Sequence, residues 1–167
     1  MKITTSSPKL KIQHREILQA SKNYAALVDG YRNEVMTQKT RTIRLLGRKC
    51  SARIIHTLLG YEVQASYKRI QCPDLVTARY LRLFSELGCH SIKLPYDPTL
   101  TERLIPVFEA TVNSLKEQIR ALFPQASSTQ QYVIRTIYGI TRQQIADISR
   151  NTPGTTQSQI TREELYS

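Results

Sequence analysis

The stretch RTIRLLGRKCSARIIHTLLGYEVQASYKRI, residues 41–70, decides which class of fold the sequence predicts. Its first part, RTIRLLG, alternates partly between polar and apolar residues and ends in glycine, which indicates a strand over residues 41–47. Near its end, YEVQASY indicates a second strand over residues 61–67. The topology therefore depends on the structure of the segment between them, residues 51–60.

The segment SARIIHTLLG, residues 51–60, supports two interpretations. Ser51 is a good helix cap and Gly60 suits a left-handed terminus, so a short helix fits. The β-branched pair Ile54–Ile55 favours a strand instead. We favour the helix, which gives a helix-rich α/β fold with a small three-stranded, parallel sheet. The strand gives an antiparallel hairpin region and an α+β fold.

Apolar periodicity and helix end signals predict the remaining elements. They are a helix over residues 13–37 with a bend or early end near Gly30, a helix from Pro73 to Gly88, a strand over 91–97, and a helix from Asp97 to Leu122 with a kink or a later start at Pro106. Thr99 and Glu102 fit a capping box for the last of these helices. After it, residues 124–128 indicate a linker before two short helices broken near Gly139.

Three regions follow from this organisation. Residues 1–12 are predicted to be a flexible basic arm, residues 13–123 a helix-rich α/β domain, and residues 124–167 a helical C-terminal extension with a polar tail. A helix–turn–helix across residues 139–165 is a second interpretation of that extension. We favour an amphipathic helical cap followed by the tail, since short motif matches often arise by chance.

Positive charge is concentrated in residues 39–69. This stretch holds eight basic residues against the single acid Glu62, so it carries seven of the chain's eleven surplus positive charges. Such a field attracts polyanions. The expected function is therefore non-enzymatic nucleic-acid binding, to RNA or DNA. The predicted binding residues are Lys39, Arg41, Arg44, Arg48, Lys49, Arg53, Tyr67, Lys68 and Arg69, with Tyr67 or Tyr61 stacking on bases.

Two alternatives come from other classes of function. The first is an enzyme or sensor for a small phosphorylated ligand. Its predicted residues are Arg48, Lys49, Ser51, Lys68 and Arg69 around the phosphate, with Asp97 acting on it. The second is an assembly factor that docks on an acidic protein partner, with the first helix as a partner or homo-oligomer contact.

Other classes lack their sequence signatures. The stretch Gly47–Ser51 has one glycine and a Lys followed by Cys, so it is no phosphate-binding loop, and no G-x-G-x-x-G exists for a dinucleotide cofactor. Three widely spaced cysteines give neither a zinc ligand pair nor a disulfide framework. We expect no metal and no cofactor. With no long apolar run and no signal segment, a cytoplasmic protein without a membrane span is predicted.

Overall fold

The structure, a computed structural model, describes residues 24–151. Its elements in chain order are a first helix α1 at residues 24–30 that continues as the π-helix Tyr31–Val35, β1 (Thr40–Arg44), β2 (Ala52–Thr57), β3 (Gly60–Ala65), β4 (Lys68–Cys72), α2 (Leu75–Leu87), β5 (Ser91–Pro95), α3 (Pro98–Leu122) and α4 (Ser127–Arg150). The predicted basic arm and polar tail lie outside the described residues. Within residues 24–151, no helix is long and apolar enough to cross a membrane.

Helix and sheet are combined in an α+β arrangement, and the prediction of a parallel sheet is wrong. Strands β2, β3 and β4 form an antiparallel meander, and β1 pairs antiparallel with β5. The predicted helix over residues 51–60 is β2 and a tight turn, as the alternative interpretation had it. Two-residue turns join β2 to β3 and β3 to β4, and connections this short permit only antiparallel pairing.

The meander packs one face on α2. Along β3, Val63 and Ala65 are buried, whereas Glu62 and Gln64 are half-buried on the opposite face. Because successive strand side chains point to opposite faces, the face that includes Gln64 turns away from the helix. This outward face carries the polar cross-strand neighbours of β3.

The predicted bounds of α2 and α3 are close to the observed ones, whereas the predicted start of the first helix lies outside the described residues. Asp74 caps α2 by accepting the Thr77 N–H at 2.7 Å, and Gly88 ends it in a left-handed conformation with φ of 88°. Asp97 caps α3 by accepting the Thr99 N–H at 2.9 Å, so the capping box predicted at Thr99 is not what starts this helix. Pro106 lies inside α3, which runs unbroken to Leu122.

Aromatic rings from three helices meet in the core and hold β5. The Phe84 ring lies 5.9 Å from that of Tyr31, 4.8 Å from that of Tyr80 and 6.1 Å from that of Phe108. Tyr31 Oη accepts the Lys93 N–H at 3.0 Å, and Tyr80 Oη donates to the Lys93 carbonyl at 2.8 Å. Two buried hydroxyls thus satisfy both backbone polar groups of one strand residue, which fixes β5 against the helices.

The last helix, α4, is continuous, and the predicted break near Gly139 is wrong. Its buried stripe includes Val133, Ile137 and Ile145, which belong to the same apolar cluster as the core of α2 and α3. A stripe that continues past Gly139 on both sides outweighs the helix penalty of about 1 kcal/mol for one glycine.

Candidate nucleic-acid interface

The segment between β1 and β2 carries the two central basic residues, and its backbone is held in place. Leu45 and Gly47 donate N–H groups to the carbonyls of His90 and Cys89, at 2.8 and 3.2 Å, which extends the pairing with β5. Gly88 allows a close approach on the other side: a Cβ there would lie 2.6 Å from the Lys49 nitrogen. Arg48 and Lys49 are therefore presented from a fixed segment at the end of α2.

Three of the basic residues lie over tyrosine rings. The Arg48 guanidinium is 6.0 Å from the Tyr67 ring centre, and Lys39 Nζ is 5.7 Å from that of Tyr96. Both tyrosines are exposed, Tyr67 at 79% and Tyr96 at 57%. Lys49 Nζ lies 5.8 Å from the ring of Tyr138, which is buried. Two of these cation–aromatic pairs are thus open to solvent, and in the third an exposed lysine lies over a buried ring.

The outward face of the meander carries two further cations. Arg53, Gln64 and Arg69 are cross-strand neighbours in β2, β3 and β4. Arg53 donates from Nε and Nη2 to Gln64 Oε1 at 3.1 and 2.9 Å, and Gln64 Nε2 donates to Glu62 at 2.9 Å. Arg69 Nη1 lies 3.8 Å from the same Glu62 carboxylate. The sheet surface therefore holds two arginines about one carboxylate.

The basic residues of β1 point in different directions. Arg41 alternates with Thr42, so it shares a face with Ile43, whereas Arg44 lies on the face of Thr42. Thr42 Oγ1 accepts a hydrogen bond from Lys93 Nζ at 2.6 Å, which adds a cation from β5 to that face. Burial, together with the Asp74 charge, raises the pKa of the Cys72 thiol to about 11, and the Arg41 charge opposes that rise.

Most of these cations lack an internal counter-charge. Of the eight basic residues in 39–69, only Arg69 has a carboxylate oxygen within 4.0 Å among the residues that the structure describes. Elsewhere in residues 24–151, five of the ten basic residues form ion pairs, namely Arg32, Arg79, Arg82, Arg103 and Arg150. We call the predicted binding residues the basic patch: Lys39, Arg41, Arg44, Arg48, Lys49, Arg53, Tyr67, Lys68 and Arg69.

Several predicted roles need correction. Ser51 precedes β2 and not a helix, so no helix N-terminus meets an anion there. Lys68 and Arg69, predicted to hold one phosphate together, lie in β4 and point to opposite faces of the meander, since Lys68 pairs with the buried Ala65. Arg48 and Tyr67 do come together, at the turn between β3 and β4 that carries Tyr67.

The set predicted for a small phosphorylated ligand is only partly assembled. Asp97 caps α3, and within the described part of the chain no recorded contact joins it to Arg48, Lys49 or Ser51. Lys49 and Ser51 do lie together, in a cleft of about 530 Å³. Cys50 lies beside them in the same segment. The other lining residues come from helices α2, α3 and α4, and they are Glu86, Lys116, Ile134, Arg135 and Tyr138.

Two groups of residues escaped sequence reasoning. Lys116 and Arg135 lie far along the chain from Lys49, and no sequence signal links them, because only the packing of α3 and α4 brings them together. Nothing in the sequence indicated that Lys39 lies above the ring of Tyr96. Tyr61 stacks on His56, with ring centres 4.8 Å apart, and so lies on the meander face opposite to Gln64.

Burial keeps the thiols protonated near neutral pH. It raises the pKa of Cys50, with the Glu86 carboxylate adding to the rise, and it raises the pKa of Cys89 to about 12. Thiols in this state are poor nucleophiles. Among residues 24–151, no three His, Cys, Asp or Glu side chains cluster in a way that would hold a metal ion.

Compared with protein-family models, with curated proteins and with solved structures, the chain matches none of them.

Proposed function

We propose that this protein is a non-enzymatic nucleic-acid-binding protein whose contact surface is the basic patch. The observation that supports this most directly is that seven of the eight cations in the patch have no described carboxylate partner. Concentrating like charges in one segment of the chain without partners costs stability through repulsion. A polyanion relieves that repulsion and releases its own counterions when it binds.

The exposed tyrosines favour single-stranded nucleic acid. Tyr67 and Tyr96 present their rings to solvent with a cation close to each. Proteins that bind single strands combine such rings, on which bases stack, with cations that follow the backbone. Unpaired bases are accessible to stacking, whereas the bases of a duplex are already stacked on one another. Either RNA or DNA offers these groups.

The test is the salt dependence of binding to a single-stranded oligonucleotide, measured by fluorescence anisotropy. Each phosphate neutralised adds about 0.7 to the log–log slope on single strands, so four to six contacts give a slope of roughly −3 to −4. Replacing Arg44, Arg48, Arg53 and Arg69 together by Gln is expected to flatten that slope by up to about 3. All four side chains are exposed, so folding is expected to survive.

The matched control replaces Arg32, Arg103, Arg120 and Arg150 by Gln. These four are also exposed, and their loss changes the net charge equally. The control is expected to keep most of the wild-type slope, because these residues lie outside the basic patch. Equal losses from both variants would show that net charge alone drives binding. A wild-type protein that ignores oligonucleotides at ~50 mM salt, where nonspecific binding is strongest, would refute the proposal.

A further inference from the structure

The cleft beside Lys49 differs in shape and charge from the rest of the basic patch. Its walls come from the segment before β2 and from α2, α3 and α4, so it is concave, whereas the meander face is a sheet surface. Its volume of about 530 Å³ lies in the range of small-ligand sites. A polymer can run along the sheet surface, but a cleft of this size suits a single small group.

Three cations and one carboxylate line this cleft. Lys49, Lys116 and Arg135 are the cations, and none has a carboxylate oxygen within 4.0 Å among the described residues. Glu86 is the carboxylate. The neighbouring acid Glu109 is already paired with Arg79 and Arg82, so it does not reduce the charge of the cleft. The lining thus carries a net of two positive charges.

The remaining lining groups supply a polar contact and an apolar floor. Ser51 offers an exposed hydroxyl next to Lys49. Tyr138 and Ile134 form apolar wall, and Lys49 lies 5.8 Å above the Tyr138 ring centre. A phosphate monoester carries about −1.5 to −2 charges at pH 7, whereas each internal phosphodiester of a nucleic acid carries one. The charge of the cleft therefore matches a monoester.

We propose that this cleft binds a phosphate monoester, with Lys49, Lys116 and Arg135 holding the dianion and the partly exposed Ile134 contacting the attached nucleoside. Two sources offer this group: the phosphorylated end of a polynucleotide and a free mononucleotide. For the polynucleotide end, the inference rests on the proposed function. For the free mononucleotide, the inference does not depend on the proposed function.

The experiment compares single-stranded oligonucleotides of one sequence that end in hydroxyls or carry a phosphate at the 5′ or 3′ end. In parallel, calorimetry compares adenosine monophosphate with adenosine. A terminal phosphate is expected to tighten binding by about tenfold or more, the effect of one hydrogen bond to a charged group. A preference confined to the oligonucleotide identifies a polymer end as the source, and adenosine monophosphate binding above adenosine identifies a free mononucleotide.

The variant K116Q/R135Q removes two cations of the cleft and leaves the sheet surface of the basic patch intact. It is expected to lose the monoester preference while binding the hydroxyl-ended oligonucleotide nearly as before. The control R120Q/R150Q removes one exposed cation from each of the same two helices and is expected to keep the preference.

Equal binding of all oligonucleotides together with no discrimination between adenosine monophosphate and adenosine would overturn the inference while leaving the proposed function standing. A preference that survives in K116Q/R135Q would also overturn it. Binding of adenosine monophosphate by a protein that ignores every oligonucleotide would support the cleft and refute the proposed function.

Discussion

Replacing Gly88 by Ala tests whether the segment that carries Arg48 and Lys49 depends on its contact with the end of α2. Gly88 has φ of 88°, and a Cβ there would lie 2.6 Å from the Lys49 nitrogen and 2.9 Å from the Arg48 carbonyl carbon. Both contacts are with backbone, so they cannot be relieved by a side-chain rotation. The helix end or the basic segment must move.

The expected cost has two parts. The left-handed conformation costs a non-glycine residue about 1–2 kcal/mol, and displacing packed backbone adds to it. We expect Gly88→Ala to lower the free energy of unfolding by at least about 2 kcal/mol and Tm by roughly 4–8 °C. Urea unfolding followed by circular dichroism measures the first quantity, and a thermal scan the second. Under conditions where the variant is folded, its oligonucleotide affinity is expected to fall as well.

The same substitution at Gly139 provides the control. Gly139 lies inside α4, and a Cβ there would have only ordinary contacts, at 3.6 and 3.9 Å with the Arg142 side chain. Gly139→Ala is therefore expected to stabilise the protein by about 0.5–1 kcal/mol, the helix preference of Ala over Gly. If the free energy of unfolding of Gly88→Ala lay within about 0.5 kcal/mol of the wild-type value, the inference from close backbone approach would be wrong.

Two more predictions concern aromatic stacking and alkaline pH. Tyr67→Ala and Tyr96→Ala should each weaken single-stranded oligonucleotide binding by about 1–3 kcal/mol in anisotropy titrations. Tyr132→Ala, at an exposed tyrosine without a recorded cation above it, should change binding little, and equal effects at all three positions would contradict the stacking role. Burial raises the pKa of Cys72 to about 11 and that of Cys89 to about 12, from 9.0 in the unfolded chain. In the native state each thiol keeps its proton, whereas in the unfolded chain it loses the proton above pH 9. The stabilisation is therefore fully present below pH 9 and is lost as pH rises towards 11–12, by at most about 1.4 kcal/mol per pH unit and thiol. A urea midpoint that stays constant from pH 8 to 11 would contradict this.

The helices were largely predictable because their signals are local. Asp74 and Gly88 mark the ends of α2, and Asp97 with Pro98 marks the start of α3. Caps and left-handed termini act within one turn of the chain, so sequence alone carries their information. The break assigned near Gly139 failed because local propensity takes no account of the core that α4 covers.

The sheets were harder to predict because strand partners are not local. Residues 51–60 resemble a helix by their end signals, but pairing with β3 and packing on α2 favour a strand. Strand β4 was missed since KRIQC has one large apolar residue, Ile70, and is defined by its partner. Antiparallel pairing then separated Lys68 from Arg69 across the sheet, which no count of charges along the chain would reveal.

The same limit applied to the candidate site. Charge clustering in residues 39–69 was visible in the sequence, and seven of its eight basic residues are exposed in the structure. Lys116, Arg135 and Tyr96 were not predictable, because they reach the basic residues only through tertiary packing.

The pairing of β1 with β5 has a consequence for chain entropy. Arg44 is opposite Ser91, so the ladder closes a loop that contains β2, β3, β4 and α2. Closing a loop of about 46 residues costs roughly 3 kcal/mol of configurational freedom by the logarithmic relation, a cost that local hairpins largely avoid. The hydroxyls of Tyr31 and Tyr80, which bond to the Lys93 backbone, stabilise the strand that completes this closure. Most of the basic patch therefore lies in a chain segment whose two ends are held together by the pairing of β1 with β5.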